Sequence, residues 1–203
     1  LYPNPARWQH ARMNAAIEPE LSIAREPVHL RGILALQQRN LHTRLSADQQ
    51  AQSGFVYAEH DEALLAKMAA SVPQAIALHA GEVIGYSLAM APSMQHFLPT
   101  LAPMFDQFAR MQLAGRWLSD YRYVVGGQVC VDAAWRGRGL IGRLYAQTRD
   151  SVDPAIELCL TEIALRNEVS LRAHLRLGFI EVGRYADAGE NWAVVAWPWR
   201  GSR

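Results

Sequence analysis

Hydrophobic positions along this chain switch between two periods, and the switches mark the elements. Residues 21–25 (Leu-Ser-Ile-Ala-Arg) alternate as a short strand. Pro27 then permits a helix start, and Leu30, Ile33, Leu34, Leu36 and Leu41 recur at helical spacing. A short helix over 46–52 has Ser46 as its N-cap, Gln49 three residues on, and Gly54 at its end. A third helical segment covers 61–70 and runs up to Pro73. Two strands, 74–79 and 82–90, flank Ala80-Gly81, the tight turn of an antiparallel hairpin.

The rhythm changes at 92–122, where three prolines precede Met104, Phe105, Phe108, Met111 and Leu113 in a helical pattern closed by Gly115. A connection this long between strands is more often functional than a short one. Residues 123–132 form the next strand, and its paired Gly126-Gly127 predicts a bulge or a close approach. A helix over 140–150 and a strand over 155–163 follow, so this strand–helix–strand unit implies a parallel pair. Asn167 caps a helix over 168–177, Gly178-Phe179 ends it in Schellman fashion, and 180–185 with 192–197 close the chain as a hairpin. The fold class is mixed α/β: antiparallel strands first, one parallel crossover, then a terminal antiparallel pair.

Size and composition leave that picture in place. The 203 residues suit one domain, read as 13–203, with the irregular leader at 1–12 set aside because Met13 offers a natural start. A net charge of +1 gives no global field for nucleic acid or a membrane surface, and no apolar run is long enough to span a bilayer. Cys130 and Cys159 lack metal-type spacing, fall inside strands and read as small buried hydrophobes, so no metal is expected and the default compartment is cytoplasmic.

Chemistry concentrates where the parallel crossover begins. Between Asp132 and Asp150 the chain carries Arg136, Arg138 and Arg143, no acid, and Gly137, Gly139 and Gly142 at a helix start. Unpaired N–H groups and the helix dipole make such a start a seat for a phosphate. Gly137-x-Gly139-x-x-Gly142 matches a dinucleotide fingerprint literally, but residues 132–136 intervene after the strand. Only about sixty residues remain beyond it, too few for the rest of a doubly wound sheet.

The alternative is Arg136-x-x-Gly139-x-Ile141, followed by Asn167-x-x-Ser170 and His174-x-x-x-Gly178-Phe179. These two blocks resemble the acyl-CoA signature and the second conserved block of the GCN5-related N-acetyltransferase (GNAT) superfamily, over roughly 76–197. Ile141 stands where the signature has a small residue, with Gly142 one step later. The resemblance implies a mostly antiparallel sheet with one splayed parallel pair, flanked by helices, and an acetyl-CoA-dependent N-acetyltransferase (an acyltransferase of the EC 2.3.1 type). It implies that backbone groups of Val129 and Val131 pair with the pantetheine arm. Amides of Arg136, Gly137, Arg138, Gly139, Leu140, Ile141, Gly142 and Arg143 would cradle the pyrophosphate, with Asn167 and Ser170 completing the cofactor site.

For catalysis, the resemblance points to a strand N–H near Val131 as oxyanion donor. His174 stands at the position of the family's thiol-protonating Tyr; otherwise it is a helix histidine bonded to a carbonyl. Val125 and Gly127 replace the usual strand base, which leaves Glu162 as the best carboxylate unless it is tied to Arg166 or Arg172. The expected acceptor is a primary amine of a small molecule or amino acid, attacked directly in a ternary complex. Met94, Phe97, Met104 and Phe108 are candidates for its apolar wall, although the same segment could serve a homodimer surface. The competing classes are a non-catalytic acyl-CoA or small-ligand binding module of this fold, and a nucleotide-dependent oxidoreductase.

Overall fold

The structure, a computed structural model, describes residues 18–199, so the 1–12 leader lies outside the described residues. The chain opens with β1 (Glu20–Ile23) and α1 (Pro27–Asn40), then α2 (Ala47–Ser53) and α3 (Glu62–Ser71). The start of α2 is the expected capping box: Ser46 Oγ accepts from Gln49 N, and Gln49 Oε1 accepts from Ser46 N. Strands β2 (Ala75–His79) and β3 (Glu82–Met90) turn on Ala80 (φ 49°) and Gly81 (φ 82°), the left-handed pair that matches strand twist. After α4 (Ala102–Phe108) come a two-residue ribbon, β4 (Gln112–Leu113) and β5 (Arg116–Trp117), and then β6 (Tyr123–Val131). The second half is α5 (Leu140–Ser151), β7 (Leu158–Ala164), α6 (Glu168–Arg176), β8 (Ile180–Asp187) and β9 (Glu190–Pro198).

Seven strands form one sheet in the order β1-β2-β3-β6-β7-β9-β8, antiparallel throughout except for β6 with β7. On one face Tyr86 and Leu88 of β3 bury with Ile33 and Leu36 of α1 and Leu65 and Met68 of α3. Gly85 and Ser87 face the other way, onto α5. A Cβ on Gly85 would meet Leu144 Cδ1 at 3.2 Å, and Thr148 Oγ1 donates to Ser87 Oγ at 3.2 Å. Helices on both faces of a central strand pair leave only its ends open, and the site lies at one of them.

The expected helix through Met111 and Leu113 stops at Phe108 instead. Ala114 (φ 51°) and Gly115 (φ 80°) fold 112–117 into the β4–β5 ribbon, a turn that the helical spacing of the apolar residues did not reveal. Phe105 and Phe108 pack edge-on, 6.0 Å apart, in the core, and each such buried ring is worth about 2–3 kcal/mol. At the far end α6 closes as predicted. Phe179 N donates to His174 O at 3.1 Å and Gly178 N to Leu175 O at 3.1 Å, with Gly178 at φ 100°.

Candidate active site

The parallel ladder between β6 and β7 is short. It joins Tyr123 to Leu158, Val124 to Cys159 and Val125 to Leu160, and then ends while both strands continue. Opposite this point the β3–β6 register shifts between Leu88 and Ala89, so the Gly126-Gly127 pair sits in the bulge that sequence suggested. Thr161 Oγ1 donates to Gly126 O at 2.7 Å, taking the carbonyl that the ladder drops. A Cβ on Gly126 would lie 3.3 Å from Cys159 Sγ and 3.5 Å from the Tyr145 hydroxyl, so glycine keeps the mouth of the wedge clear.

Beyond the wedge one edge of β6 is open. Asp132 N donates to Ile84 O at 2.9 Å, and antiparallel alternation then turns Cys130 toward β3. By the same alternation Val129 and Val131 direct their backbone groups to the free edge. Val131 O is already taken by Arg136 Nε at 3.0 Å, and Arg136 also donates to Asn40 Oδ1 at 2.6 Å. Arg136 therefore ties the strand end to α1.

The glycine-rich turn leads into α5 through Gly137 (φ 74°) and Gly139 (φ 72°), and no side chain caps the first-turn N–H groups. A Cβ at either glycine would stand in open space, so backbone conformation is what demands glycine there. Gly142 has a different duty: its Cβ would meet Leu177 Cδ2 at 2.9 Å, so it lets the end of α6 pack against α5. Leu140 is buried under α5 and Ile141 packs on the sheet, which leaves their amides, not their side chains, at the turn. Arg143 pairs with Glu18 at 2.9 Å, whereas Arg138 stacks on Trp135 at 4.9 Å with no carboxylate partner among the described residues.

A cavity of about 480 Å³ runs from this open edge to the far side of the sheet, lined by residues 125–129, Tyr145, Thr161, Glu162, Asn167, Ser170 and His174 among others. Val131 is not part of that wall. It lies four residues beyond Gly127, about 13 Å at strand rise, on the side of the glycine turn.

Glu162 faces the cavity, and neither expected arginine reaches it: Arg166 pairs with Glu190 at 2.7 Å and Arg172 with Glu168 at 2.7 Å. Its partner is the Tyr185 hydroxyl, which donates to Oε2. Burial pushes the Glu162 carboxyl up to about 7, against the pull of the Tyr185 bond.

His174 touches the cavity with both ring nitrogens engaged. Nδ1 lies 2.8 Å from Ser170 O, so it carries the proton, and Nε2 accepts from the Tyr145 hydroxyl at 2.8 Å. Burial lowers its pKa to about 4, which keeps the ring neutral. Asn167 caps α6 through Ser170 N (3.4 Å) and donates to Phe55 O at 2.8 Å, which holds the loop before α3 against the cavity. Of the apolar wall expected from 92–122, only Met104 lines the cavity. Met94 and Phe108 are buried in the core, Phe97 is exposed, and Leu98, Leu101 and Pro103 take their place.

Sequence reasoning missed three polar side chains. Tyr145 read only as part of an apolar stripe, and Tyr185 carried no signal beyond its strand. His60 sits in a hydrogen-bonded network: Gln37 Nε2 donates to His60 Nδ1 (2.7 Å) and to Gln128 Oε1 (2.9 Å), and His60 N donates to Gln37 Oε1 (2.9 Å). Burial lowers His60 to about 4. Both cysteines are buried, and burial raises each to about 12, so neither is a ready thiolate. Among the described residues no cluster of metal-ligating side chains occurs and no helix is long and apolar enough to cross a membrane.

Solved structures share this fold. An acetyltransferase of the GNAT family from Streptococcus pneumoniae superposes with a TM-score of 0.53 at 13% identity, over 88% of this chain and 99% of its own. The chain has the GNAT fold. The ribosomal-protein-S18-alanine N-acetyltransferase of Escherichia coli gives a TM-score of 0.57 at 13% identity, covering 91% of this chain and 96% of that one. Arabidopsis thaliana NAA60, solved in complex with acetyl-CoA, gives 0.55 at 13% identity, covering 88% and 99%. No protein-family model and no curated protein matches the sequence.

Proposed function

We propose that this chain is an acetyl-CoA-dependent N-acetyltransferase that acetylates a primary amine by direct attack in a ternary complex. The observation that carries the reading is the splayed β6–β7 pair, which opens onto a buried carboxyl poised near neutral pH. The residues present suit an acyl-CoA. The free edge of β6 at Val129 and Val131 is shaped to receive an extended arm, and the uncapped amides of 137–142 suit a pyrophosphate. Acetyl-CoA bound to NAA60, on the same fold, supports that choice.

The cosubstrate supplies an activated thioester carbonyl. Glu162, ionised for about half of the molecules at pH 7, accepts a proton from the amine. A new N–C bond then forms, the C–S bond breaks, and the electron pair leaves on sulfur. The β6 amide that meets the developing oxyanion should stand level with Glu162, and continuing the Val125–Leu160 register puts Gly127 there, with Val129 next. Tyr145 reaches the wedge with its hydroxyl, and His174 holds that hydroxyl in place, so His174 is a positioning residue in this scheme. Arg138 adds positive charge beside the phosphate seat.

Thermal shift against acetyl-CoA, free CoA and NAD(P), with thiol release on an amine panel, tests the reading. Stabilisation by acetyl-CoA and CoA with amine-dependent thiol release is expected. Stabilisation by NAD(P) alone, or none by acetyl-CoA, would overturn it. Acetyl-CoA binding without thiol release would favour a binding module of the same fold, for which the missing β6 base at Val125 and Gly127 speaks.

A further inference from the structure

We propose that the acceptor is a small primary amine carried on an uncharged, apolar body, with no carboxylate beside the amine; this rests on the N-acetyltransferase reading. Free amino acids are thereby excluded. The lining of the cavity carries the argument. Glu59, Glu162 and Asp187 line it, and no lysine or arginine among the described residues does. Its two histidines are both held neutral by burial. Arg166 stands behind the wall, 4.3 Å from the Phe55 ring and 5.9 Å from the Tyr57 ring, and is bound to Glu190 at 2.7 Å.

A carboxylate entering this space would lose water, find no cation and meet Glu162 and Asp187 at close range. An ammonium entering it finds the opposite: carboxylates to receive it, and the Trp192 ring at the cavity wall. On the α1 side Gln128 is already engaged at both ends of its amide. Gln128 Oε1 accepts from Gln37 Nε2 (2.9 Å) and from the Tyr86 hydroxyl, and its Nε2 donates to Ala58 O at 2.8 Å.

Leu64, Met68, Leu98, Leu101 and Met104 make an apolar part of the wall, with Thr100 the one hydroxyl among its 98–104 residues. Met68 Cε lies 3.4 Å from where a Gly127 Cβ would stand, so flexible thioether side chains fill the place of a strand side chain. Such a wall can mould to an alkyl or aryl group but offers no partner to a string of peptide amides. A volume of about 480 Å³, part of it needed for the cosubstrate arm, holds a group of small-molecule size beside the carboxylates.

The test is kcat/KM by thiol release, on the full chain, for 2-phenylethylamine, phenylalanine methyl ester, phenylalanine and Phe-Ala-Ala-amide, each corrected to its neutral amine. The amine and the ester should exceed phenylalanine by about 100-fold or more. In Asp187→Lys, which introduces a cation, phenylalanine should gain on phenylethylamine by about tenfold while acetyl-CoA thermal shift holds. Phenylalanine within about tenfold of the amine, a peptide preferred over it, or an unmoved ratio in Asp187→Lys overturns the inference. So does acetyl-CoA binding with none of the four acetylated. Loss of acetyl-CoA binding itself would instead bring down the acetyltransferase reading beneath it.

Discussion

Replacing Glu162 by Gln should make the protein less active and, above neutral pH, more stable. The carboxyl is pushed from its ordinary 4.5 up to about 7, mainly by burial, with Tyr185 pulling the other way and Asp187 adding to the rise. About half of the molecules are ionised at pH 7 and about one in a hundred at pH 5, so kcat/KM should fall about 50-fold between pH 7 and 5 from this group alone. An acceptor with an amine pKa well above 9 keeps its own titration clear of that step. Glu162→Gln should lower turnover by about 10²–10⁴-fold and abolish the step. The stability sign follows from linkage. A folded pKa above the unfolded one gives a contribution fully present below 4.5 and lost as pH rises through about 7. A shift of about 2.5 units corresponds to roughly 3 kcal/mol, an upper figure. At pH 8 the Gln variant should therefore melt roughly 5–10 °C above the native chain, and at pH 4 the two should coincide. Calorimetry at both pH values, with thiol-release kinetics from pH 5 to 9, measures this. A step that survives in Glu162→Gln, or a variant no more stable at pH 8, would refute the assignment.

Four further substitutions probe other parts of the site. Arg138→Glu should weaken acetyl-CoA binding by about 10–100-fold at low salt and less at high salt, as titration calorimetry at two ionic strengths would show; Arg143→Glu, already ion-paired to Glu18, should do less. His174→Ala should cost about 2–4 kcal/mol in denaturant unfolding, by opening a cavity and leaving the Tyr145 hydroxyl unpartnered. With its pKa near 4, that substitution should leave the shape of the turnover profile between pH 6 and 8 unchanged; loss of an alkaline limb near 6.5 would restore His174 as the acid. Asn167→Ala removes both the α6 cap and the bond to Phe55 O, and unfolding should show about 2 kcal/mol lost.

Local chemistry was legible wherever a few adjacent residues decide it. The Ser46–Gln49 capping box, the Ala80-Gly81 turn and the Gly178-Phe179 helix end depend on near neighbours, and all three form as expected. The parallel crossover and the glycine-rich start of α5 were equally visible, because period and composition change together there. The 109–117 stretch was not, since Met111 and Leu113 fit a helical stripe while Ala114-Gly115 turns the chain back on itself. Side-chain commitments across the fold were illegible. Arg136 is used by Asn40, and Tyr145 by His174; no spacing rule encodes either pair. Of the four expected wall residues Met104 lines the cavity, while 3₁₀ turns at Pro92–Phe97 and Pro99–Leu101 rotate Phe97 outward and bring Leu98 and Leu101 inward.

The absence of a base on β6 and the pKa of Glu162 on β7 have a common origin in the wedge. A side chain at Gly126 would press on Cys159, Thr161 and Tyr145, and one at Gly127 would stand 3.4 Å from Met68 Cε. The bulge falls at this pair, and Thr161 closes the ladder by taking Gly126 O. The strands part just before the level of Glu162, which gives its carboxyl access to a cavity while helices and strands still shield it from bulk water. Filling the wedge would exclude a ligand, and opening it further would hydrate Glu162 and return it toward 4.5. Cavity access and a proton acceptor near neutral pH therefore both follow from the end of the β6–β7 ladder at Val125–Leu160 and the bulge beyond it.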